Sequence, residues 1–426
     1  MTAAVAAPID LVVVVLAQRQ WADFEPLVGQ IRAVLSTLDA RTEIIVVVAE
    51  GALRVVEGAA VVVQRRRGYG AALMEGLAAG SGAQFVVTIN ADLSHSPAVI
   101  ARLWAARDRA DIVVASRYVA GGTCEASLMR SVLSRVLNRV FARALSVPVR
   151  DLSSGFRLYR VGAVTGLQIE NEDFAALPEL LVRAYAQGYR VAEVPCRFVA
   201  SEAHGSFMRL ARFGWSYTAT LWRLWQLRNS IHSADYDHRA FDSIIWLQRY
   251  WQRTRHRIVL AFAPNGGRIL DVGCGSSRIL QDLPGAVGVD VLLNKLRFLR
   301  PVHPQVVRAS VFALPFADLH FDTVICSEVI EHIPDDPRVL GELTRVLKPG
   351  GTLVLGTPDY GRLLWHIIEW VYGRVAPGGY ADEHITHFDR RGLQWRLTTL
   401  GYDVLQCSYV GASEMILKAR KGPMDG

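Results

Sequence analysis

No two of the five cysteines (Cys124, Cys196, Cys274, Cys326, Cys407) stand at CxxC spacing, and their number is odd. A zinc ribbon and a disulfide framework are therefore poor bases for the fold, and a reducing compartment suits the chain. Charge is also sparse: charged residues are 20% of the 426, against 51% apolar. That balance excludes a largely disordered chain and leaves enough apolar material for more than one core. No apolar run reaches the roughly 20 residues of a spanning helix. The first one, Ile9–Ala17, lacks a basic residue ahead of it and does not read as a secretion signal. No short internal repeat is present.

What is present is β-branched sequence alternating with helical sequence, twice. Strands are predicted at Leu11–Leu16, Glu43–Val48, Ala60–Val63, Gln84–Ile89 and Asp111–Ala115. A second series is predicted at Arg268–Val272, Gly285–Asp290, Val306–Ala309, Phe321–Cys326 and Thr352–Gly356. Such alternation gives mostly parallel sheets with helices packed on them, an α/β fold in two domains. Residues 1–228 are expected as one domain, 229–265 as a linker with a helical connection, and 266–426 as the second. Before the linker, Phe207, Leu210, Gly214, Thr218, Leu221, Trp222 and Trp225 fall at helical spacing, flanked by Arg209, Arg212, Arg223 and Arg228. The stripe packs on its own domain or lies on a membrane surface with Arg toward lipid phosphates. The formal charge of +7 suits an anionic partner without choosing one.

The strongest motif is RILDVGCGSS at Arg268–Ser277: an apolar strand, Asp271, then a turn through Gly273 and Gly275. Glycines there let backbone approach a ligand closely. A second strand ends at Asp290, placed to accept from both hydroxyls of a ribose. ALPF (Ala313–Phe316), FDTVICSEVIEHIPD (Phe321–Asp335) and LKPGG (Leu347–Gly351) follow in order. The set resembles class I S-adenosylmethionine-dependent methyltransferases over roughly Arg239 to Leu417. The resemblance implies a Rossmann-like seven-stranded fold, with Asp271, Gly273, Gly275 and Asp290 on the cofactor and Ser310 and Val311 at its adenine. Many relatives carry an acid where Ser310 stands. A hydroxyl acceptor would gain from a general base, for which His332, His384 and His387 are the candidates. Glu331 either orients His332 or caps local backbone.

In the other half, RRRGYG (Arg65–Gly70) opens a helix, and the next strand ends in Asn90-Ala-Asp92. Oxygen donors at a strand end can hold Mg²⁺ or Mn²⁺ against a diphosphate. DIVVASRYVAGG (Asp111–Gly122) and VRDLSSGFRLYR (Val149–Arg160) follow. This order resembles family 2 glycosyltransferases of the dolichyl-phosphate mannosyltransferase type, from Ile9 to Arg228. The resemblance implies a glycosyltransferase A-type fold. Asp92, with Asn90 beside it, would be the metal and diphosphate ligand, and Arg117, Arg130 and Arg157 the cations near an acceptor phosphate. Three departures bear on the donor. Ala17-Gln18-Arg19-Gln20 replaces the usual opening loop, Glu50 stands alone where two acids are usual, and Asn90 replaces an acid.

The sequence thus reads as a bifunctional glycosyltransferase and methyltransferase. Its partners would be a nucleotide sugar and a polyprenyl-type phosphate or glycan acceptor, with no nucleic acid. The alternative is a methyltransferase whose first domain is non-catalytic and binds lipid phosphate or positions substrate. A cytoplasmic protein, peripheral at the inner face of the membrane, fits both.

Overall fold

Neighbouring side chains of a strand point to opposite faces, so the consecutive valines of Ile9–Ala17 need two cores. The computed structural model describes residues 9–17, 25–50, 55–199, 207–264, 266–375 and 384–423. In it this run is strand β1 (Ile9–Ala17). Leu11, Val13, Val15 and Ala17 enter one core, and Val12, Val14 and Leu16 enter the other. Full burial of each larger side chain contributes about 1.5–3 kcal/mol. Helices Glu25–Leu35 and Val99–Ala105 cover the first face; Tyr69–Ala79 and Ala176–Ala186 cover the second.

The chain divides into two compact units, residues 1–228 and 229–426. The first contains β2 (Thr42–Val48), β3 (Ala60–Val63), β4 (Ala83–Asn90), β5 (Ile112–Ser116), β6 (Thr123–Glu125), β7 (Arg157–Arg160), β8 (Val191–Pro195) and β9 (Arg197–Val199). Seven strands form one sheet in the order β3-β2-β1-β4-β7-β5-β8, and β6 pairs with β9. All pairs in that sheet are parallel except those made by β7.

The second unit contains β10 (Ile269–Val272), β11 (Val287–Asp290), β12 (Val306–Arg308), β13 (Phe321–Ser327), β14 (Leu347–Pro358), β15 (Tyr402–Val410) and β16 (Glu414–Lys421). Its sheet runs β12-β11-β10-β13-β14-β16-β15, with β16 antiparallel to both neighbours. Residues 229–265, expected as a linker, fall within this unit. Their helix Trp246–Phe262 buries Val259 and Phe262 in its core.

The helix Phe207–Arg228 ends the first unit. Leu224 is buried there, with Tyr217, Leu221 and Leu227 packed beside it. Arg223 pairs with Glu170. Arg228 is fully buried and donates to the carbonyls of Leu145 (2.9 Å) and Ser146 (3.2 Å). This half of the helix packs on its own domain, and these two arginines do not face lipid. Trp222 and Trp225 stack on each other and stay exposed. The side chains of residues 207–215, Phe207, Arg209, Leu210, Arg212 and Gly214 among them, lie outside those described. Among the described residues no helix is long and apolar enough to cross a membrane.

Candidate functional sites

After Val272 the chain must turn at once at the carboxyl end of β10. Gly273 and Gly275 do this at φ of +71° and +53°, where L side chains are strained. A Cβ on Gly273 would also lie 2.1 Å from Val329 Cγ2. Asp290, at the end of β11, accepts from the amides of Gly275 (2.8 Å) and Leu292 (2.7 Å), so it fixes the turn. Asp271 is buried, and its Oδ2 has no hydrogen-bond partner. Burial, with Asp290 near, pushes its carboxyl up to about 8. A buried acid without a partner, beside a glycine turn, is chemistry that a hydroxyl- or ammonium-bearing ligand satisfies. Ser310 is exposed and accepts from the Phe312 amide, while Val311 is buried against the core.

The sequence reading missed Asp237. It accepts from Ser276 N (3.1 Å), Ser276 Oγ (3.0 Å) and Lys295 Nζ (2.9 Å). Burial works against its charge, but Lys295 and Ser276 outweigh it and hold the carboxyl at about 2. The glycine turn is therefore pinned by Asp290 and Asp237 both. No motif surrounds Asp237; only the packing of 229–265 on the second sheet brings it here.

Past β13 the backbone is strained, with Glu328 at φ +61°. Arg255 pairs with Glu328 (3.0 Å) and donates twice to Glu414 (2.7 Å each). In the next turn the Glu331 carbonyl accepts from the amides of Ile385 (2.7 Å) and Thr386 (3.0 Å), and Thr386 Oγ1 donates to Ile333 O (2.6 Å). These bonds bring His384 against His332, ring centres 4.9 Å apart. Glu331 is fully buried; its Oε2 accepts from Thr357 Oγ1 (3.1 Å), and burial pushes the carboxyl up to about 8. His384 Nδ1 lies 2.9 Å from Tyr360 Oη and 3.3 Å from Glu369 Oε1. Burial and the neighbouring His332 lower His384 to about 4. His387 is exposed and stacks on Tyr360 at 3.9 Å. Two of the three expected histidines therefore form one cluster, with Glu331. Tyr360, Glu369 and Arg255 were missed because they belong to no motif.

In the first unit β4 delivers Asn90 and Asp92 to the carboxyl edge of the sheet. Asn90 Oδ1 is buried without a hydrogen-bond partner. Asp92 Oδ1 accepts from Ser94 N (3.1 Å) and Ser94 Oγ (2.6 Å), and that hydroxyl bonds His95 Nδ1 (2.9 Å). Two oxygen donors two residues apart fit a hard divalent ion, with one formal charge instead of two. Tyr69, not anticipated from sequence, is buried close by: a Cβ on Gly155 would lie 2.3 Å from its Oη and 3.7 Å from Asn90 Nδ2.

The three arginines separate. Arg117 grips Asp151 through Nε and Nη2 (2.7 Å each) and also donates to Ser153 Oγ. Burial opposes the Asp151 charge, yet Arg117 holds that carboxyl below its usual range. Arg130 is exposed in the first turn of the helix Leu128–Ala144. Arg157 is fully buried and donates to the carbonyls of Leu177 and Leu152. It braces the fold from within, where the resemblance implied a cation near an acceptor phosphate. Glu50 is exposed after β2, while residues 18–24 and 51–54 lie outside those described.

A family model described as a methyltransferase domain matches residues 241–407, and one for glycosyl transferase family 2 matches residues 31–167. A polyprenol monophosphomannose synthase of Mycolicibacterium smegmatis is 33% identical over 35% of this chain and 60% of that protein. A probable S-adenosylmethionine-dependent methyltransferase of the same organism is 34% identical over 41% of this chain and 68% of that protein. The solved glucosyl-3-phosphoglycerate synthase of Mycobacterium tuberculosis, in complex with uridine diphosphate, is 21% identical. It covers 51% of this chain and 80% of its own, with a TM-score of 0.41. The chain spans about three fifths of the length of the first curated relatives it matches. It belongs to the S-adenosylmethionine-dependent methyltransferases, and carries ahead of that domain a family 2 glycosyltransferase domain.

Proposed function

We propose that the second unit binds S-adenosylmethionine and methylates a small-molecule, lipid or glycan acceptor. The observation that carries this is the glycine turn pinned by Asp290, with the orphaned Asp271 carboxyl beside it. Asp271, Gly273, Gly275 and Asp290 would hold the cofactor, with Ser310 and Val311 toward its adenine. When bound, that group supplies a methyl on a cationic sulfur that leaves as a neutral thioether. The chain's own task is to align the acceptor and exclude water. His332, in the turn after β13, and His384, on the segment bonded to that turn, would border the acceptor; His384, lowered to about 4, is a neutral imidazole at physiological pH.

The test is calorimetry of S-adenosylmethionine with the full chain. Binding is expected, and Asp290→Ala should weaken it by about 1–3 kcal/mol, the cost of unpaired hydroxyls. Absence of binding by folded protein would end this reading.

For the first unit we propose sugar transfer from a nucleotide sugar to a lipid-phosphate or glycan acceptor, with Mg²⁺ or Mn²⁺ at Asn90 and Asp92. One observation favours the non-catalytic alternative: the strand-end pair is Asn90 and Asp92, so it offers a divalent ion one formal charge instead of two. Release of nucleoside diphosphate separates the two, using a panel of nucleotide sugars, a polyprenyl phosphate and Mn²⁺. A working transferase requires Asp92, so Asp92→Ala abolishes release, and Asn90→Asp tightens metal binding. A folded wild type and a folded Asn90→Asp that both release nothing would leave only the binding module.

A further inference from the structure

Glu331, His332 and His384 each present one ligand atom, and the three atoms lie within 4.8 Å of one another. We infer that they bind one divalent first-row transition-metal ion. The Glu331 carboxylate supplies the first argument. It is fully buried, and its Oε1 makes no hydrogen bond. That oxygen lies 4.0 Å from His332 Nε2, beyond hydrogen-bond range. Two donors that share an ion, each ~2.1 Å from it, stand ~3–4 Å apart.

His384 supplies the second. Its Nδ1 faces Tyr360 Oη and the Glu369 carboxylate, which leaves Nε2 as its ligand atom. A ligating imidazole is commonly oriented in this way by a carboxylate on its far nitrogen. The backbone supplies the third: Ile385 N and Thr386 N both bond the Glu331 carbonyl, so the histidine-bearing segment is held on the glutamate-bearing turn. Two imidazoles and one carboxylate suit zinc, manganese or ferrous iron better than magnesium or calcium, which favour all-oxygen sets. Three protein ligands leave the ion open positions. On the methyltransferase reading proposed above, those positions meet the acceptor, which would then carry an oxygen ligand such as a hydroxyl or carboxylate. The ion site itself does not depend on that reading.

The experiment uses the full chain in an Asp92→Ala background, so that an ion counted belongs to the second unit. Protein stripped with chelator is reloaded with Zn²⁺, Mn²⁺, Fe²⁺ or Mg²⁺, dialysed, and its metal content measured. One transition ion per chain is expected, with a rise in melting temperature and little retention of Mg²⁺. His384→Ala and His332→Ala should each lower affinity at least tenfold, while His366→Ala, a surface histidine, should not. Loading with cobalt(II) should give visible ligand-field bands that His384→Ala alters. Glu331 is buried, so Glu331→Gln is read only where circular dichroism shows a native fold; the histidine variants carry the test otherwise. Stoichiometric binding unchanged in both histidine variants, or no transition ion retained at micromolar concentration, overturns the site. Calorimetry with S-adenosylmethionine separates this from the proposed function. Cofactor binding without metal rejects the ion alone, and metal without cofactor binding rejects only its role at the acceptor.

Discussion

Asp271 sits in an environment at odds with an ionised carboxylate: it is buried and its Oδ2 has no hydrogen-bond partner. Burial and the nearby Asp290 raise its carboxyl to about 8, so it is largely protonated at neutral pH. The adjoining Cys274 thiol is pushed well up by burial and stays neutral as well. The folded state keeps a proton that the unfolded chain, at the ordinary 3.8, has lost. Stability from this group is complete below pH 3.8 and falls as pH rises through 8. A cationic sulfonium ligand reverses the preference, because it favours the ionised acid. S-adenosylmethionine should therefore bind with release of a proton near neutral pH, and more tightly at pH 8 than at pH 6. Calorimetry in two buffers of different ionisation enthalpy measures the proton directly. Binding that is indifferent to pH in wild type, and the same in Asp271→Asn, would rule Asp271 out as the linked group.

At the scale of elements, legibility followed the reach of the interactions. The parallel strands β1, β2, β4, β10 and β13 could be read because each buries an apolar run on both faces, and the half-exposed edge strands β3 and β12 because their residues are mostly β-branched. The departures are instructive. β7 (RLYR) is short and half charged, yet it sits between β4 and β5 because Arg157 and Arg160 find partners there: two carbonyls for the first and Asp111 for the second. β15, interrupted by Asp403, Gln406 and Ser408, and β16, with Lys418, Arg420 and Lys421, hide behind polar residues and antiparallel pairing. The glycine turns and Asp290 were legible, since a turn and its acid lie within one strand-turn-strand unit. Asp237, Tyr360 and Glu369 were not, because each reaches its site across a long stretch of chain that no spacing encodes. The spread of the three arginines had the same cause. Arg157 faces inward simply because its strand is central, whereas Arg130 lies on a helix whose outer face is open.

That helix decides how the whole molecule should behave at a lipid surface. The net charge of +7 is modest and could be spread anywhere. On Leu128–Ala144 it is concentrated: Arg130, Arg135, Arg139 and Arg143 are all exposed, and the helix holds no acid. Leu128, Met129, Val132, Leu133, Val136 and Val140 are exposed on it too. Its inner side is committed, since the buried Asn138 accepts from Leu152 N (2.7 Å) and donates to Ser153 Oγ (2.9 Å), steadying the Asp151 loop. Exposed apolar side chains with flanking arginines have the composition of an interfacial face that seats on anionic lipid. Arginines near such a surface contribute about 1 kcal/mol each, so four give roughly 4 kcal/mol at low salt, before screening over ~10 Å at 0.1 M. The full chain should co-sediment with phosphatidylserine-containing vesicles and leave them as salt rises. Val132→Glu with Val136→Glu places two acids in the apolar face without touching Asn138, and should reduce sedimentation severalfold while the fold is kept. Equal sedimentation of wild type and this variant would show that the helix is not the contact. Equal sedimentation with neutral vesicles at every salt concentration would remove the arginines from the account.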